Sequence, residues 1–153
     1  MHDIRVEMAD FKTAASPANL IAAAVGSCVA VCLYDSQKKL GGLAHVMLPH
    51  SKDAKAFNPN RFANLAVVEM INQLEKLGAQ REFLEAKIVG GANLFPFLLK
   101  NDEEQMGFRN VVAVKEILNE MAVRIINEHV GGNLGRSVKF SLETGTVTVE
   151  IKI

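Results

Sequence analysis

Apolar positions along the chain form short runs separated by polar turns, and their period switches between two and about 3.6. The stretch "LIAAAVG" (20–26) is small and apolar and predicts a strand. "CVAVCLY" (28–34) and "LGGLAHVML" (40–48) flank the polar "DSQKK" and predict a β-hairpin. The polar "PHSKDAKAFNPN" (49–60) predicts the longest loop. The period then lengthens. Phe62, Leu65, Ala66, Met70, Ile71, Leu74 and Leu77 recur at helical spacing, with Asn58 as cap, Pro59 in the first position and Gly78 at the end. "FLEAKIVG" (83–90) predicts a strand running into Gly90-Gly91. A second helix is predicted from near Asn110, its cap, with Val111, Val114, Ile117, Leu118 and Met121 as its apolar stripe.

"VRIINEHV" (123–130) predicts a short strand ending at Gly131-Gly132. In "SVKFSLETGTVTVEI" (137–151) a Thr144-Gly145 turn pairs Leu142 with Val147, Phe140 with Val149 and Val138 with Ile151. The apolar side chains then share one face, and Lys139, Ser141, Thr148 and Glu150 share the other. No internal repeat or linker interrupts the pattern. Strands with two interleaved helices imply an α/β or α+β fold with a mostly antiparallel sheet.

A chain of 153 residues, 49% hydrophobic, suits one domain over residues 1–153 with a full-sized core. Its 17 basic and 17 acidic residues cancel, which removes a global electrostatic case for nucleic acid or an anionic membrane as main partner. Two cysteines make no disulfide framework. The N-terminal "MHDIRVEMADFK" lacks the apolar core of a secretory signal, and no apolar run approaches the roughly 20 residues that span a bilayer. The expectation is a cytoplasmic domain without membrane insertion.

The hairpin of residues 28–48 holds both cysteines and one histidine. If Asp35 pairs with Lys38 around a tight turn, Cys28 opposes His45 on one face, with β-carbons about 5 Å apart. A shift of two residues puts Met47 opposite Cys28 and leaves His45 a diagonal neighbour on the same face. A slip of one separates the two side chains. Two readings follow. The pair is a nucleophile and its base, since an imidazole that takes the thiol proton makes a thiolate. Or both are core residues, since cysteine is among the most often buried types.

Cys32 lies four positions from Cys28, about 13 Å along a strand, too far for a shared disulfide or metal, and reads as core. His2, His50 and His129 lack further ligands at metal spacing, so no metal site is expected. The glycine pairs match no phosphate-binding fingerprint and read as strand-end turns with positive φ. Asn133 and Arg136 beside the second pair are loop-fixing or substrate-facing.

Taken in order from about residue 17, "GSCVAVCLYD", "GGLAHVMLP", "EAKIVGGANLF", "GFRNV" and "GGNLGRSVKFSLETG" resemble CheD, the chemoreceptor glutamine deamidase family of bacterial and archaeal chemotaxis. The resemblance implies a three-layer α/β sandwich with a mostly antiparallel sheet and a papain-like Cys-His site. It places the nucleophile at Cys28 and the histidine at His45. It implies hydrolysis of a glutamine side-chain amide on chemoreceptor cytoplasmic helices through a cysteine thioester, with no cofactor. A CheC-type phosphatase of the response regulator is an implied partner. Two positions depart from the family pattern. Ala22 stands where a threonine is expected, and His129 where the family often has aspartate. Ser27 is a candidate replacement hydroxyl. The alternative that Ala22 raises is a catalytically weakened binding module that regulates a CheC-type phosphatase.

Overall fold

The structure, a computed structural model, describes residues 2–53, 55, 57–98 and 105–152. Residues 54 and 56 of the expected long loop lie outside that set. The predicted hairpin forms strands β4 (Val29–Asp35) and β5 (Leu40–Val46). The earlier apolar run is β3 (Ala18–Val25), and the later runs are β6 (Leu84–Gly90), β7 (Arg124–Val130), β8 (Gly135–Ser141) and β9 (Val147–Lys152). The polar N-terminal segment adds β1 (His2–Arg5) and β2 (Asp10–Ala15), which the pattern does not predict. Both are edge strands, β1 mostly exposed and β2 mostly half-buried, so they carry little apolar periodicity.

The strands form two mixed sheets, ordered β2-β5-β4-β6-β7 and β1-β3-β8-β9, in place of the single sheet expected. The β1–β3 and β6–β7 pairs are parallel and the other pairs antiparallel. Val29, Val31 and Leu33 of β4 pack with Met70 and Leu74 of helix α1 (Ala63–Lys76) and Val114 and Leu118 of helix α2 (Met106–Glu120). The opposite face of β4, Ala30 and Cys32, packs with Leu20, Ala22, Val138 and Phe140 of the second sheet. The order of layers is therefore helices, five-stranded sheet, four-stranded sheet.

Both helices begin elsewhere than predicted. Asn58 adopts a left-handed φ of 47° and makes no side-chain cap bond; it opens a 3-10 turn over Pro59–Arg61, and α1 starts after Phe62. Gly78, with φ 113°, follows the end of α1 as expected. Helix α2 starts at Met106, so Asn110 lies inside it and is no cap.

The two hairpins keep the predicted faces but not the predicted partners. Asp35 pairs with Leu40, not Lys38, and Ala30 pairs with His45. The cause is the Asp35 side chain. Its Oδ1 accepts from the N–H groups of Gln37 and Lys38 at 2.9 and 3.2 Å, and Oδ2 accepts from Gln80 N–H at 3.0 Å. This Asx-type turn widens the loop to residues 36–39, with Lys39 at φ 52°. In the last hairpin Phe140 pairs with Val147 and Val138 with Val149. Leu142 leaves that ladder because its N–H donates to Ala18 O at 2.9 Å.

Asp35 is fully buried and holds three backbone donors. Asp35→Ala is expected to lower unfolding free energy by about 3 kcal/mol, because charge-assisted bonds are lost and donors are left unpaired. Urea unfolding followed by circular dichroism measures it; a loss under about 1 kcal/mol contradicts this role.

Candidate active site

The turn between β3 and β4, residues 26–28, is held by backbone from the end of β6. Gly91 N–H donates to Cys28 O at 2.8 Å, and Ala92 N–H donates to Gly26 O at 2.9 Å. This approach needs glycine. Gly90 has φ 122°, and a β-carbon there would collide with the Cys28 carbonyl. Helix α2 closes the other side. The amide nitrogen of Asn110, which is fully buried, donates to Ser27 O at 2.9 Å and to Met47 O at 3.1 Å. One side chain thus ties the turn carrying Cys28 to the chain just beyond His45. Sequence reading placed Asn110 at a helix end; the available signal was an amide embedded in an apolar stripe.

The observed register makes His45 the partner of Ala30, so Cys28 and His45 are diagonal neighbours across β4 and β5 and do not sit directly opposite. Both face the layer between the sheets. His45 lies between Ala44 and Val46, which face the helices, and so turns the other way. Cys28 is 6% exposed and lines a cavity of about 530 Å³ that is also lined by Ala23, Ser27, Leu94, Arg136 and Lys152. His45 is 3% exposed and does not line it. Neither ring nitrogen of His45 has a hydrogen-bond partner among the described residues. Ala22 is fully buried in the same apolar cluster as Cys28, and offers a methyl group where a hydroxyl was expected.

Burial pushes the Cys28 thiol up from its ordinary value, opposed by its own backbone N–H. Burial pushes His45 down, opposed by the backbone at Val6, which lies near without forming a hydrogen bond, and by the Glu7 carboxylate. Both shifts favour a neutral thiol beside a neutral imidazole over a pre-formed ion pair. A neutral imidazole is the form that can accept the thiol proton as sulfur attacks an electrophile. Cys32 is different: it is 1% exposed, and burial pushes it up to about 12, with a smaller opposing pull from Lys87. It is a core residue.

His2 lies on exposed β1, and His50 follows β5 in the loop. The glycine pairs take positive φ as expected: 122° and 67° at Gly90 and Gly91, 82° and 69° at Gly131 and Gly132. Arg136 fixes these turns. Its Nη1 donates to Gly90 O at 3.2 Å, its Nη2 to Gly131 O at 2.7 Å, and its Nε to His129 Nδ1 at 3.0 Å. These bonds make Arg136 loop-fixing, and the same residue also lines the Cys28 cavity.

Residues 47–151 match a family model described as "CheD chemotactic sensory transduction". That match begins just beyond His45, but similarity to curated proteins extends over nearly the whole chain. A Clostridium novyi protein named "Probable chemoreceptor glutamine deamidase CheD" is 45% identical over 148 residues, covering 96% of this chain and 91% of that one. Proteins of the same name from Clostridium acetobutylicum and Syntrophomonas wolfei are 43% and 47% identical, each over 96% of this chain and over 89% and 92% of their own lengths.

Two outcomes follow from the geometry. Because the folded pKa of His45 is lowered, the unfolded chain binds a proton that the native state does not. Stability should therefore fall as pH drops below about 6.5, and level off once pH passes the folded value. His45→Leu should flatten this slope in urea unfolding at pH 7, 6 and 5; an unchanged slope contradicts a buried neutral imidazole. Asn110→Leu should cost about 1–3 kcal/mol by unpairing the Ser27 and Met47 carbonyls, and should speed alkylation of Cys28 by loosening its turn.

Proposed function

Because the chain belongs to the CheD family, we propose that it is a chemoreceptor glutamine deamidase, one domain over residues 1–153, with Cys28 as nucleophile and His45 as general base and acid. The observation that carries the residue assignment is a thiol at the wall of a cavity with a buried, unpartnered imidazole diagonal to it on the same face. The papain-like comparison rests on that pairing of sulfur and imidazole and not on the fold.

Cys28 Sγ attacks the carboxamide carbon of a glutamine side chain while His45 takes the thiol proton. The tetrahedral oxyanion is held by backbone N–H groups. The Cys28 N–H is the first candidate, since it already lowers the thiol pKa from its position beside the sulfur. The imidazolium gives its proton to the departing ammonia, leaving a thioester. Water, deprotonated by His45, hydrolyses the thioester. Glutamate leaves, and the thiol is restored. Each step uses groups of this chain, the substrate and water.

The reaction raises receptor negative charge by one unit per event, which alters repulsion between packed signalling helices. None of the helices among the described residues is long and apolar enough to cross a membrane. The proposed place of action is the cytoplasm, on receptor cytoplasmic helices, with a CheC-type phosphatase as a second partner. Ala22 favours the second reading, a weakened module that serves mainly to bind that phosphatase. The intact Cys28 and His45 favour the enzyme.

Incubation with receptor cytoplasmic fragments should produce the one-dalton gain of Gln to Glu in mass spectra. Cys28→Ala should abolish it, and His45→Ala should slow it by about a hundredfold or more. A hydroxyl introduced at position 22 enters the layer of the unpartnered imidazole, so Ala22→Thr should raise turnover by about tenfold. Cys28 should alkylate faster than Cys32 at neutral pH. A protein inert on several receptors that still binds a CheC-type phosphatase tightly would establish the binding-module reading.

A further inference from the structure

Arg136 carries a charge that its own fold does not balance. The residue is 5% exposed, and three of its five N–H donors go to neutral acceptors: Gly90 O, Gly131 O and His129 Nδ1. Among the described residues no carboxylate forms an ion pair with it. A buried, unpaired cation is costly, and the usual structural solution is a carboxylate partner. The side chain that meets its Nε, at position 129, is a histidine and brings no negative charge. Among the described residues that line the same cavity, Lys152 is a second cation and none is aspartate or glutamate.

The cavity charge is close to the nucleophile. The peptide joining Gly90 to Gly91 accepts from Arg136 Nη1 on its carbonyl side and donates to Cys28 O from its N–H side. One peptide group therefore separates the guanidinium from the Cys28 backbone. Two N–H donors of Arg136 are left over, and no described residue of the cavity wall is an acid that could meet them.

We infer that Arg136 and Lys152 form a carboxylate-binding subsite beside Cys28, which selects target glutamines that have an acidic side chain three or four positions away on the same helix. The inference rests on the deamidase reading above and names the substrate class of that site. On a helix such neighbours lie about 5–6 Å apart, and Cys28, Arg136 and Lys152 line one cavity, so a single helix face can present the glutamine to the thiol and the carboxylate to the cations. A consequence follows for helices with glutamines one turn apart. Deamidation at one position creates the carboxylate that recruits the next, so modification proceeds in order.

The test separates binding from turnover. The Cys28→Ala protein is titrated with two receptor cytoplasmic fragments, identical except for Glu or Ala at the positions three and four residues from the target glutamine. The Glu fragment should bind about tenfold more tightly at low salt, and the preference should shrink as ionic strength rises. His129→Asp in that background supplies an internal counter-charge to Arg136 and should cut the preference to about threefold or less. Lys152→Gln, exposed on β9 and safe for folding, should roughly halve it. Equal affinity for the two fragments, absence of binding to both, or a preference untouched by His129→Asp and Lys152→Gln overturns the subsite. Turnover of the parent protein is read in parallel. Deamidation with no Glu preference sinks the subsite and keeps the enzyme; a Glu preference in binding with no deamidation keeps the subsite and sinks the enzyme.

Discussion

The structure depends on one strand being buried on both faces. β4 has helices on one side and a second sheet on the other, so each of its positions is assigned to a layer by parity alone. The branched side chains of Val29, Val31 and Leu33 fill the space against α1 and α2. Small or soft ones, Ala30 and Cys32, meet the second sheet, where bulk is supplied by Leu20 and Phe140 from across the gap. A slip by one residue would drive three large aliphatic side chains into the narrow layer and empty the wide one. Cys28 and His45 inherit their common face from this constraint.

Parity was legible in the sequence because it is written in the alternation of side-chain size and polarity. Register was not, because it is decided at the turns. In the first hairpin a carboxylate, Asp35, gathers three backbone N–H groups and widens the loop. In the last, Leu142 gives its N–H to β3. Each event moves the pairing by an even step, so faces survive while partners change. Strands β1 and β2 are illegible for a related reason: an edge strand whose side chains are exposed or half-buried has no apolar rhythm to read. Asn110 illustrates the last difficulty. A polar residue in an apolar stripe announces a hydrogen bond, but only the folded chain reveals that its acceptors lie 83 and 63 positions away.

The electrostatics of the site follow from the same burial. A layer thin enough to exclude water disfavours both the thiolate and the imidazolium, and no hydroxyl from Ala22 offsets this for the ring. The pair rests uncharged, and charge is created only as the sulfur bonds to carbon. A thiol held in this form is also a poor target for oxidants, which attack the thiolate. Polar tuning is concentrated instead at the cavity wall, where Arg136 binds the glycine turns that frame the nucleophile.

The shared amide of Asn110 has a mechanical meaning. Because one nitrogen holds both the Ser27 carbonyl and the Met47 carbonyl, small displacements of α2 carry the two chain segments along together. The turn that carries Cys28 and the segment beyond His45 thereby take their position from the same side chain. Larger displacements strain two separate bonds, since the amide carries two N–H groups and each holds its own carbonyl.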